Sequence, residues 1–376
     1  MGKRIAIVTI YGIPNYGSVL QAYALQKYLQ KHYWEYDIKL INYDYRGFIH
    51  RVKRIKETGL VNFLKNEIVL RLGIVPEERR IKLRKFQEFR KTYLDETKSY
   101  SNSLSLRISK EIREFDVFLS GSDQIWNTKE LHGDLTFLLN FVPDNKKKVS
   151  FSSSFGIDYV GEVYKKSFKD LLNKYDTIGV RERKGITVLK ELGVERPTCV
   201  TCDPTLLLES KDYNLLAEKS DIEITNSYIL VYGLSYAFNP MPAILKVINL
   251  AVKQYKCKVI FLTKDAFLYN GEYNTILNAG PCDFIKFVAN ARYIVTSSFH
   301  GTMFSLIFRK PFTAVAPNSG DTRIYDILND LKIGEILVDP NSSPTTLTEN
   351  NIYTEDFDER IKQYINKSKS YLQEII

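Results

Sequence analysis

At 376 residues, 44% hydrophobic and 26% charged, the chain exceeds one ordinary domain and carries enough apolar residues for a full core, so two domains are expected. No run of eighteen apolar residues occurs, which excludes a membrane-spanning helix, and a strand starting at Arg4 leaves no room for a secretory leader, pointing to the cytoplasm. The net charge of +9 is concentrated: residues 51–91 hold thirteen Lys/Arg against five Glu. Such a patch suits an anionic membrane, a diphosphate-linked lipid or nucleic acid.

Residues 3–11 (KRIAIVTIY) form a β-branched run that ends in the turn residues Gly12, Pro14, Asn15 and Gly17. From Ser18 onward Leu20, Tyr23, Ala24, Leu25 and Leu29 recur at helical spacing, and 36–43 reads as a second strand. Strand, helix and strand make a βαβ unit, the start of a parallel sheet. Residues 46–113 break the rhythm as a helical, polar, basic excursion. Strands follow at 115–120, 148–153 and 177–181, with a helix over 182–192. The alternation restarts near Asp203-Pro204: strands at 228–232, 258–263, 293–297 and 311–316 alternate with helices at 242–255, 283–291 and 302–308. This pattern predicts two Rossmann-like, doubly wound α/β domains, 1–204 and 205–355, with a cleft between them. A last helix within 356–376 crosses back to the first domain.

Four turns can carry chemistry. Ser297-Ser298-Phe299-His300-Gly301-Thr302 joins a strand to a helix at the crevice edge of a parallel sheet, where helix amides suit an anion. There His300 is a candidate proton donor or acceptor, or a capping residue satisfied by backbone groups, and Gly301 allows close approach to the backbone. Val180-Arg181-Glu182 ends another strand; Arg181 presents a fork for carboxylate or phosphate, with Glu182 as its plain ion-pair partner. In Gly121-Ser122-Asp123-Gln124-Ile125-Trp126-Asn127, the polar Asp123, Gln124 and Asn127 can bond hydroxyls and Trp126 can stack on a sugar, while Asp123 equally reads as a helix cap. Asn15-Tyr16-Gly17-Ser18 opens the first helix and can bind an acceptor, but it matches neither nucleotide-binding glycine motif. Asp203-Pro204-Thr205 and Gly280-Pro281-Cys282-Asp283 read as linker and cap chemistry. Cys199-Val-Thr-Cys202 lacks a second pair or a nearby His, so no metal site is expected.

Taken together, these stretches resemble the polysaccharide pyruvyl transferase family. The resemblance runs through 15–25, 121–127, 180–182, 202–207 and 280–312, in that order, and 291–301 (ARYIVTSSFHG) is its most specific part. It implies a GT-B-like pair of domains, phosphoenolpyruvate as donor, no bound cofactor, and a ketal-forming transfer to two hydroxyls of a sugar in a surface polysaccharide or its precursor. It carries donor-side roles to Arg181 and His300, and the helix terminus at Ser298, Gly301 and Thr302 offers amides for the same donor. Related members have an Arg where Ser298 stands, so either Arg292, Lys310 or Arg323 replaces that cation or the donor is held differently in this branch. Acceptor-side roles fall on Asn15, Tyr16, Gly17, Ser18, Gln124, Trp126 and Asn127, with Asp123 as a base. The basic segment would then meet a lipid-linked acceptor at the inner membrane face, and no nucleic-acid partner is implied. A nucleotide-sugar glycosyltransferase and a non-catalytic glycan- or lipid-binding protein are the rival readings.

Overall fold

The computed structural model describes residues 2–45, 76–235, 237–262, 274–347 and 351–376. Part of the basic excursion, 46–75, lies outside them. The first half runs β1 (Arg4–Val8), α1 (Tyr16–His32), β2 (Asp37–Leu40), α2 (Glu77–Tyr93), β3 (Val117–Ser120), β4 (Lys147–Ser153), α3 (Glu162–Leu172), β5 (Thr177–Val180), α4 (Arg183–Glu191) and β6 (Thr198–Val200). The second half continues with α5 (Ser210–Ala217), β7 (Tyr228–Tyr232), α6 (Ala243–Tyr255), β8 (Lys258–Phe261), β9 (Asn274–Thr275), α7 (Pro281–Asn290), β10 (Tyr293–Thr296), α8 (Phe299–Ile307), β11 (Phe312–Val315), α9 (Arg323–Asp330), β12 (Leu337–Val338) and α10 (Glu355–Ile375). Short helical turns link several of these. The sequence reading marks no helix at α3, α5 or α9, which are charged segments with only a narrow apolar stripe.

Two six-stranded sheets result, in the orders β2-β1-β3-β4-β5-β6 and β12-β11-β10-β7-β8-β9, every pairing parallel. The reason is in the strands: β3, β7, β10 and β11 are buried at every position, as sheets with helices on both faces require. Strand order reverses at β1/β3 in one sheet and at β7/β10 in the other, so each sheet opens a crevice above the carboxyl ends of those strands. The two crevices face each other.

The contact between the halves is aromatic. Tyr16, at the start of α1, stacks on Phe284 of α7 at 4.8 Å and meets Tyr232 of β7 at 5.7 Å and Phe86 of α2 at 5.4 Å. Its hydroxyl donates to Ala279 O at 2.9 Å. The basic arm's described part docks here too: Lys85 pairs with Asp283 of α7 at 2.6 Å, Arg90 with Glu96 at 2.8 Å, and Lys82 Nζ lies 4.6 Å from the Tyr16 ring centroid. Burial pulls the Lys82 ammonium down to about 8. Part of the segment's positive charge is thus engaged inside the protein.

Helix α10 ties both halves together. Near its start Arg309 pairs with Asp358, and Arg360 donates to Leu331 O at 2.8 Å. Near its end Ser368 Oγ accepts from Cys202 N at 2.8 Å and Tyr371 donates to Ser150 O at 3.0 Å. Burial pushes the Cys199 thiol up to about 11 and that of Cys202 to about 12, so both are unreactive packing residues at neutral pH. Among the described residues no helix is long and apolar enough to cross a membrane.

Candidate active site

The turn after β3 aims the first carboxylate. Gly121 (φ +125) has Phe151 O where a Cβ would stand, at 2.0 Å, and Asp123 takes a left-handed φ of +77. The side chain of Asp123 thereby accepts from Ser18 Oγ at 2.7 Å and lies 3.6 Å from Arg181 Nη2. Burial alone would raise this carboxyl, but Arg181, His300, the Ser18 hydrogen bond and Arg323 together hold it below its usual value.

Arg181 leaves the end of β5 fully buried and donates from Nη1 to Asp203 Oδ2 at 3.0 Å. Its partner is therefore not Glu182, whose Oε1 accepts from the amides of Phe155 and Gly156. Asp203, 1% exposed after β6, also caps the turn at Thr205 with its other oxygen, at 3.0 Å to the amide and 2.7 Å to the hydroxyl. His300 Nε2 stands 3.5 Å from the same Asp203 Oδ2. Burial would raise the Asp203 carboxyl; the charges of His300 and Arg181 with the hydrogen bonds overcome it and hold it well below the carboxylate range. Asp203 thus links His300 of the second half to Arg181 of the first, a role the linker reading missed.

With Nε2 turned to Asp203, the other ring nitrogen of His300 lies over α1. A Cβ on Gly17 would sit 2.0 Å from His300 Nδ1, so Gly17 is required by the histidine. Gly17→Ala is expected to cost about 1–3 kcal/mol of stability through overpacking and to lower activity, checked by denaturant unfolding beside turnover. His300, Asn15, Ser18, Asp123, Gln124 and Arg323 line an open cleft of about 270 Å³. Arg181 Nε and His300 Nε2 are buried and have no hydrogen-bond partner among the described residues.

Several expected site residues are placed elsewhere. Tyr16 is a buried interdomain packing residue, and Trp126, 1% exposed, donates its indole N–H to Phe137 O and packs on Phe155 and Tyr175. Neither ring can stack on a sugar. Asn127 caps the short helix Thr128–Leu131 while lining the cleft beside Gln124, and Asn15 caps α1, its side chain accepting from Ser18 N, while lining the cleft of His300. Ser298 caps α8 by accepting from Gly301 N, and Thr302 N donates to Ser298 O, so these two amides are already used. Gly301 is demanded by Thr296, whose hydroxyl a Cβ would meet at 2.2 Å. Arg292 and Lys310 precede β10 and β11, at the edge of the sheet opposite His300. Of the three proposed replacements for the missing arginine, only Arg323 reaches the cleft.

Arg323 opens α9, pairs with Asp321, and its two terminal nitrogens lie 2.7 and 2.6 Å from the Gln124 carboxamide. Phe299 lies between the cations, 4.4 Å from Arg181 Cζ and 5.6 Å from Arg323 Cζ. The aromatic ring spaces two guanidinium groups that would otherwise repel, a cation–π arrangement. Among the described residues no cluster of three or more His, Cys, Asp or Glu side chains could hold a metal ion.

Similar folds occur among solved structures. UDP-GlcNAc 2-epimerase from Neisseria meningitidis bound to UDP-GlcNAc has a TM-score of 0.54 at 11% identity, covering 99% of each chain. A putative UDP-N-acetylglucosamine 2-epimerase from Listeria monocytogenes scores 0.52 at 10% identity, over 97% of this chain and 91% of that one. A trehalose-6-phosphate protein from E. coli bound with UDP-2-fluoro glucose scores 0.52 at 11% identity, covering 99% of each. At these identities the likeness establishes the GT-B fold alone. No match was found among functionally curated proteins. The family model for polysaccharide pyruvyl transferase matches residues 15–319, from the cap of α1 through His300 to the loop before α9. The chain therefore belongs to the polysaccharide pyruvyl transferase family and is a transferase.

Proposed function

We propose that the chain transfers a pyruvyl group from phosphoenolpyruvate to two hydroxyls of one sugar in a surface polysaccharide or its precursor. The observation that carries this reading is the His300–Asp203–Arg181–Asp123 chain, buried at the facing crevices of both sheets and opening on a cleft with a second guanidinium, Arg323. One sugar hydroxyl attacks the central carbon of the donor while His300 delivers a proton to its methylene carbon, and the imidazole so left neutral takes up the proton of that hydroxyl. The second hydroxyl then displaces phosphate and closes the ketal, its proton leaving with the phosphate as hydrogen phosphate. Asp203 holds the imidazole and stabilises its protonated form, as an orienting carboxylate does in acid–base pairs. Asp123, ionised and already holding Ser18 and Arg181, is suited to position those groups rather than to take up a proton.

Arg323 takes the place of the arginine that is absent at Ser298. Arg323→Lys, which keeps the charge and loses the planar fork, is expected to raise KM for phosphoenolpyruvate roughly tenfold or more with a smaller change in kcat. The reading as a whole is tested by phosphate release from phosphoenolpyruvate with a panel of galactosides, glucosides and N-acetylhexosaminides. Acceptor-dependent release supports it. No release, together with thermal stabilisation by a nucleotide sugar, would replace it with glycosyl transfer.

A further inference from the structure

Beside the cleft that holds His300 lies a second one of about 220 Å³, and Gln124 and Glu130 form part of the wall of both. The Arg323–Asp321 pair spans the same wall, with the cation facing one cleft and the carboxylate the other. His300 lines the first cleft and Tyr159 the second.

Tyr159 is 57% exposed although it lines a concave wall. Lys129 Nζ lies 5.6 Å from its ring centroid, an exposed cation–π contact worth only ~0.5–1 kcal/mol and easily exchanged for a ligand. An exposed ring with a polar tip is suited to the C–H face of a sugar. The charges around it select the ligand class: Glu130, Asp158 and Asp321 outnumber Lys129, so a phosphate-bearing donor or a lipid diphosphate is disfavoured and a neutral polyol is not.

Building on the pyruvyl-transfer reading, we infer that the cleft lined by Tyr159, next to that of His300, is an acceptor subsite. It binds the sugar adjacent to the one being modified, and the acceptor is an oligosaccharide or polymer rather than an isolated sugar. Gly156, at φ +59, lets the wall residue Gln124 pack against the backbone, where a Cβ would meet it at 2.3 Å.

The experiment compares binding of methyl glycosides with the matching trisaccharides of galactose, glucose and N-acetylglucosamine by titration calorimetry, on the full chain and on Tyr159→Ala and Tyr159→Phe. For the series that binds, the trisaccharide is expected to bind roughly tenfold more tightly than the monosaccharide, a margin that Phe keeps and Ala removes. Equal affinity for both lengths, an unchanged margin in Tyr159→Ala, or no binding at any length overturns the subsite. Phosphate release by the unmodified protein with the same acceptors separates the two inferences. Release without length preference overturns the subsite alone, and length-dependent binding without release overturns the pyruvyl reading alone.

Discussion

His300→Ala is expected to lower kcat for acceptor-dependent phosphate release by about 10²–10⁴-fold, the usual worth of a positioned acid–base group. His300→Gln is expected to fall as far. Glutamine fills most of the space over Gly17 and keeps a hydrogen-bonding group near Asp203, but it carries no proton that can be passed to carbon. If the role of His300 were only to fill the interface, glutamine would restore most of the rate. A Gln variant within tenfold of the unmodified protein would therefore remove His300 as the proton source. Its unfolding midpoint, measured in parallel, shows whether the fold survives each change.

Asp203→Asn is expected to destabilise the protein by about 3–5 kcal/mol, because it leaves the buried Arg181 short of its main counter-charge. Activity should fall with it, since His300 loses the carboxylate that orients the ring. The pH dependence follows from the depressed carboxyl. In the unfolded chain Asp203 titrates near the ordinary aspartate value of about 3.9, and in the folded protein it titrates lower. The folded state thus binds fewer protons in that window, and the carboxylate's contribution is fully present above the unfolded value. It is lost as pH falls from about 4 toward the folded value. Denaturant midpoints measured from neutral pH to pH 3 should fall for the unmodified protein, and more gently for Asp203→Asn. Equal slopes would show that other carboxylates set the acid limit.

Much of the architecture was legible from local chemistry. Apolar runs such as 228–232 and 293–297 need no partner to be read as buried strands, and their alternation with helices announces two parallel sheets whose ligands gather at the carboxyl ends. That rule already separates His300, which follows β10, from Arg292, which precedes it. Applied consistently, it removes Lys310 as well. Glu182 was not legible in the same way: it lies past the end of β5, at the start of α4, and its carboxylate is taken by the amides of Phe155 and Gly156, which adjacency to Arg181 does not reveal.

By itself, the sequence determined the strand–helix alternation, the family, and the turns in which Asp123, Arg181 and His300 sit, because each depends on a short stretch of chain. Only the tertiary structure decided which of these groups meet. Asp203 reaches Arg181 because β6 lies beside β5, and it reaches His300 because the two sheets face each other. Arg323 comes to the cleft of His300 from a helix twenty-five residues beyond Ser298. Tyr16 and Trp126 look like ligand aromatics in polar segments, and are core because Phe284 in one case and Phe155 in the other is folded against them. Burial and charge pairing are properties of residues distant in the chain, and spacing along the sequence does not encode them.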